Sequence, residues 1–81
     1  MKCNIPIMND YKSVLKKIGQ NFRVERTKQA LSQEKFAELA DVHTNYIGKV
    51  ERGEQNLTIK SLVELSNALN IPIEKILTIL D

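Results

Sequence analysis

The sequence predicts an all-α fold of five helices. Apolar residues recur at helical spacing in five separate stretches, and residues that cap or stop helices stand between those stretches. No segment alternates apolar and polar side chains with the two-residue period of a strand. Eighty-one residues allow one domain with one modest core. The expected organisation is a flexible arm over residues 1–9, which contains Pro6 and no clear period, followed by one folded domain over 10–81.

Asp10 can cap a first helix over residues 11–28, with Leu15, Ile18 and Phe22 at i, i+3 and i+7 facing inward. Gly19 sits inside this helix at a cost of about 1 kcal/mol relative to alanine. It marks a kink, a close crossing or the start of the folded domain proper. Ser32 caps the second helix, whose first turn carries Gln33 and Glu34, an acid suited to the helix dipole. Phe36, Ala37 and Ala40 form its inward stripe, and small Ala37 suits a steep crossing with the next helix. Asp41 and Val42 make a tight turn, and His43 takes the cap position of a third helix reaching about Arg52.

Gly53 stops the third helix as a left-handed C-terminal glycine does. A polar loop follows, and Thr58 caps a fourth helix with Ile59, Leu62, Leu65, Ser66 and Leu69 at helical spacing. Asn70 and Ile71 end it. Pro72 favours the first turn of a fifth helix, in which Ile73, Ile76, Leu77 and Leu80 fall at i, i+3, i+4 and i+7.

Composition narrows the function classes. A single cysteine, Cys3, rules out an intramolecular disulfide, and the single histidine leaves too few ligands for a zinc or iron site. There is no glycine-rich phosphate loop and no apolar run of membrane-spanning length. The acids are scattered, so no catalytic constellation, cofactor, small-molecule ligand or membrane partner is expected, and the cytoplasm is the expected compartment. The net charge is only +2, but it is unevenly spread. Residues 1–28 hold seven cations against two acids, whereas residues 29–81 hold five against eight. Such asymmetry can steer a polyanion to one face.

The third helix is the most informative segment. Asn45, Gly48, Lys49 and Arg52 share one stripe, while Tyr46, Ile47 and Val50 lie on a side that can pack. A helix that buries one side and shows small, polar and basic groups on the other suits the floor of a DNA major groove.

Ser32-Gln33-Glu34, Phe36-Ala37, Val42, Tyr46-Ile47, Val50-Glu51-Arg52-Gly53 and Ala68-Leu69-Asn70-Ile71 resemble the Cro and lambda-repressor class of helix-turn-helix proteins, also called the XRE family. The run from Asn56 to Leu62 is similar to that of restriction–modification controller proteins. The resemblance implies a five-helix lambda-repressor-like DNA-binding domain, its third helix in the major groove and its second across the backbone. It places Thr44, Asn45 and Lys49 on base edges. Asn can pair bidentately with adenine, Lys can donate to guanine, and Thr offers a hydroxyl and a methyl group. Gln33 matches a phosphate-holding position. Glu51 matches an acid that pairs with an arginine of the first helix, here Arg26. Arg23, Lys28, Tyr46 and Arg52 are further candidates for the DNA backbone. Each has a plainer alternative: solvated surface for Arg23 and Lys28, packing for Tyr46, helix-end capping for Arg52. Two positions depart from the family pattern. Asp41 replaces the usual turn glycine, and Gly48 weakens the third helix, serving close approach to the duplex or simply lying on an exposed face.

The function expected is that of a sequence-specific transcriptional regulator binding double-stranded DNA as a homodimer on a palindromic operator. Its dimer surface would come from Ile73, Ile76, Leu77 and Leu80. Of these, Ile73 and Leu77 would close the monomer core, leaving Ile76 and Leu80 for the partner. The alternative is the antitoxin of a toxin–antitoxin pair, with Ile5, Pro6, Ile7 and Met8 of the arm as a docking segment.

Overall fold

Local chemistry sets where each helix begins. In the computed structural model, which describes residues 10–78, Ser32 Oγ accepts from the Lys35 N–H and Thr58 Oγ1 from the Ser61 N–H, both at 3.0 Å. His43 caps through its ring, Nδ1 accepting from the Asn45 N–H at 3.0 Å. Each cap satisfies one of the donors that a helix start leaves open. The resulting helices are α1 (Tyr11–Lys28), α2 (Gln33–Ala40), α3 (Thr44–Arg52), α4 (Ile59–Ala68) and α5 (Ile73–Leu77). Asp10 departs from expectation. It precedes α1 without a side-chain cap bond and accepts from Ser13 Oγ at 3.0 Å instead.

The first four helices end alike. Ala30, Asp41, Gly53 and Asn70 all have φ between 57° and 75°, the left-handed region. In each case that residue's N–H bonds the carbonyl three residues back, and the next N–H bonds the carbonyl five back. This is the Schellman pattern, which satisfies carbonyls left open at a helix end. Only Gly53 is free of a Cβ in this conformation. Asp41 takes it at the position where the family pattern has glycine, as a short polar side chain can.

One apolar core draws on all five helices. Ile18 and Phe22 come from α1, Phe36 and Ala37 from α2, and Ile47 and Val50 from α3. Leu62, Leu65 and Leu69 approach from α4 and its end, and Ile76 from α5. The Phe22 and Phe36 rings pack tilted, centroids 6.0 Å apart, within the range favoured for aromatic pairs. Leu15 is only half-buried, and Val14 packs against the core beside it.

The structure corrects two apolar assignments. Ile59 is 70% exposed, because the first residue of α4 stands outside the core that begins at Leu62. On α5 the expected roles are exchanged. Ile76 is fully buried and closes the monomer core, so it is unavailable to a partner, whereas Leu77 is 40% exposed. Two side-chain contacts fix this face. Asn21 of α1 donates through Nδ2 to the carbonyls of Ile76 and Thr78, at 2.8 and 2.9 Å. Gln29 similarly ties the end of α1 to the Leu69 carbonyl at 2.7 Å. Leu80 and the arm over residues 1–9 lie outside the described residues. Among the described residues, no helix is long and apolar enough to cross a membrane, and no His, Cys, Asp and Glu cluster could hold a metal.

Candidate nucleic-acid interface

Helix α3 is held against the body by its apolar side. Ile47 and Val50 are buried, and Tyr46 is half-buried against the same core. The opposite side carries Asn45, Lys49 and Arg52, all exposed, with Thr44 half-buried at the start. Glu51, the one acid in α3, is turned inward with only 3% of its side chain exposed. No acid of α3 therefore lies on the outward stripe, and the carboxylate at its end is that of Glu54, paired with Arg52.

Glu51 is the hub of a hydrogen-bonded cluster that ties the helices together. Its Oε2 accepts from Arg26 Nε at 2.7 Å, and its Oε1 accepts from Arg26 Nη2 at 3.2 Å. Arg26 Nη1 also donates to the Leu31 carbonyl at 2.6 Å. The bidentate pairing fixes orientation as well as distance. One ion pair thus joins α1, the α1–α2 loop and α3.

Gln33 belongs to the same cluster. Its Nε2 donates to Glu51 Oε1 at 3.0 Å, and the side chain is half-buried. An amide NH2 has two hydrogens, so one remains for a partner outside. Residue spacing gave no hint of this bond, since Gln33 and Glu51 lie on different helices.

Gly48 is not on an open face, contrary to one expectation from sequence. It is buried beneath Arg52 Nη1, which would stand 3.1 Å from an added Cβ, with Gln33 Oε1 at 3.9 Å. The stripe runs from Asn45 to Lys49 and Arg52, with the Arg52 guanidinium covering the glycine.

The other candidate cations separate by position. With 3.6 residues per turn, Arg23 stands about 60° round α1 from Arg26, and Lys28 about 160° away on the far side. Lys28 reaches half-buried Glu25 at 3.4 Å, and Arg52 reaches exposed Glu54 at 3.2 Å; in each pair the cation stands in solvent, where such contacts contribute little. Arg23 is exposed on the α3 side of α1.

This arrangement, two short helices meeting at a tight left-handed turn with the second presenting a basic and amide stripe, matches a known family over most of the chain. Residues 22–76 fit the model described as Helix-turn-helix, HTH_3. The chain belongs to this helix-turn-helix family. Members of it are DNA-binding transcriptional regulators, and the all-α, lambda-repressor-like class expected from sequence holds. Control protein C.SmaI of Serratia marcescens is 44% identical over 69 residues, which span 85% of this chain and 79% of that protein. The crystal structure of the restriction–modification controller protein C.AhdI from Aeromonas hydrophila superposes with a TM-score of 0.73 at 39% identity. The match covers 76% of this helix-turn-helix chain and 94% of that one. The controller protein C.Esp1396I, crystallised as a tetramer in complex with its natural 35 base-pair operator, superposes with a TM-score of 0.70 at 29% identity. It covers 80% of this chain and 96% of its own.

Proposed function

We propose that the protein is a transcriptional regulator of the restriction–modification controller type, acting in the cytoplasm as a homodimer on a palindromic operator. The observation that carries this is the outward stripe of α3, which bears no acid of that helix and is held by the buried Arg26–Glu51 pair with half-buried Gln33. Thr44, Asn45 and Lys49 read base edges in the major groove. Gln33, Arg23, Arg52 and the half-buried Tyr46 hold phosphates, which position the helix without carrying sequence information. Relatives named as control proteins, at 44% and 37% identity, favour the controller reading over the antitoxin one.

One recognition helix reads only a few base pairs, so two copies are needed. Half-sites should lie about one helical turn apart, roughly 34–36 Å. Leu77, exposed on α5, and half-buried Ile73 beside it are the available apolar anchors for the partner.

Selection of bound duplexes from a random library tests this reading, and should return a palindrome with that half-site spacing. Asn45→Ala and Lys49→Ala should each cost about 1–3 kcal/mol on the selected site and little on scrambled DNA. Gln33→Ala should weaken both alike. Equal losses on both duplexes for all three variants would overturn the assignment.

A further inference from the structure

We propose that the first two turns of α1 form a second DNA-phosphate contact through Lys12 and Lys16, continuous with the recognition stripe; this rests on the DNA-binding reading above. The family match begins at Phe22, so these turns lie ahead of it. They are not detached from the site. The Lys16 backbone and side-chain stem lie directly over Gly53, where an added Cβ would stand 2.7 Å from the Lys16 Cα and Cγ. Lys12 and Lys16 line one cleft together with Arg52, Gly53, Glu54 and Asn56.

Helical geometry makes this edge of α1 a basic one. Gly19 marks the direction of α3, since it abuts the Val50 and Glu51 carbonyls. At 3.6 residues per turn, Lys12 falls about 20° from Gly19, Arg23 about 40° and Lys16 about 60°. Lys17 falls about 160° away. Arg26 shares the edge and is neutralised by Glu51. Among the described residues, Lys12 and Lys16 have no acid within salt-bridge distance, and both are exposed. The cleft holds three cations against one carboxylate, that of Glu54, which is already paired with Arg52.

Arg52 ends the stripe of Asn45 and Lys49 and begins the cleft of Lys16 and Lys12. A duplex seated on the stripe therefore brings its flanking backbone past Gly53 to these lysines. Their flexible, strongly hydrated ammonium groups suit phosphates as point charges rather than base edges.

The test compares the full chain with the double variant Lys12→Ala/Lys16→Ala and with Lys17→Ala. Dissociation constants are measured from 50 to 200 mM salt on the selected operator and on a scrambled duplex. For the double variant the slope of log affinity against log salt should flatten by about 0.9 for each phosphate that a lysine no longer neutralises, summed over both subunits. The ratio of cognate to scrambled affinity should stay unchanged, and Lys17→Ala should leave the slope as it is. An unchanged slope in the double variant, or an equal flattening in Lys17→Ala, overturns the proposal while the DNA-binding reading stands. Failure of the unsubstituted protein to bind any duplex at low salt removes both.

Discussion

Gly19 of α1 lies against the carbonyl oxygens of Val50 and Glu51 in α3, so that a Cβ at Gly19 would come within 2.8 Å of the Glu51 oxygen. The atoms it would meet are backbone. They can yield only if the two helices part, and α3 is the helix that carries the proposed recognition stripe. Gly19→Ala gains up to about 1 kcal/mol of helix propensity, yet overpacking a close crossing costs about 1–3 kcal/mol, occasionally more. The variant should melt below the unsubstituted protein and bind operator more weakly. A melting temperature equal to or above that of the parent would show that the crossing is not tight.

The second helical glycine should respond with the opposite sign. A Cβ at Gly48 would meet only the tip of the Arg52 side chain at 3.1 Å and the Gln33 amide oxygen at 3.9 Å. Arg52 is exposed and can swing aside. Gly48→Ala should therefore stabilise the fold by about 0.5–1 kcal/mol, raising the melting temperature by several degrees. Moving Arg52 should weaken cognate and scrambled DNA binding by the same factor. Calorimetry and binding titrations on one preparation check both halves, and a lowered melting temperature would contradict the first.

These two glycines show which features are legible in sequence alone. Both stand out there as interruptions of a helix, but their surroundings depend on residues about 30 positions away for one and on a folded-back arginine for the other. The starts of α2, α3 and α4 are legible because Ser32, His43 and Thr58 act on N–H groups two or three residues ahead. The stop at Gly53 is legible for the same local reason. Helix α5 is not. Five residues make too little of a turn pattern to say which side is buried, and the choice is made by Asn21, 55 residues from Ile76. The left-handed Ala30 is equally hidden, since alanine does not advertise positive φ. In the site, the stripe of Asn45, Lys49 and Arg52 follows from helical register alone. The bond from Gln33 to Glu51 needs the third dimension.

The Arg26–Glu51 pair yields a prediction about stability rather than contact with DNA. The two side chains are 11% and 3% exposed, so removing one charge leaves the other buried without a partner. Such losses cost about 3–5 kcal/mol. Glu51→Gln keeps the shape while removing the charge, and its amide NH2 would face guanidinium N–H groups that have no lone pair to offer. Denaturant unfolding should show a loss in that range. Gln33→Ala removes one hydrogen bond and should cost only about 1 kcal/mol. Equal, small losses in both variants would mean that the carboxylate is not the hub.

Asn21 links the fold to the proposed dimer. Its Nδ2 donates to the carbonyls of Ile76 and Thr78, holding the end of α5 against α1 while Ile76 fills the core and Leu77 points outward. An isolated five-residue helix has almost no stability of its own, so this grip and the burial of Ile76 together keep the apolar anchors in place. Asn21→Ala removes both hydrogen bonds and should cost about 1–3 kcal/mol in unfolding free energy. Its larger consequence should be on assembly. With α5 less firmly docked, Leu77 and Ile73 are no longer presented in one geometry, and part of the association energy goes into reordering them. Sedimentation equilibrium should show a weaker dimer than that of a surface control such as Lys60→Ala, on a different helix. DNA binding by Asn21→Ala should then become more strongly dependent on protein concentration. If the dimer constant is unchanged while stability falls, α5 serves the monomer core and the partner surface lies elsewhere.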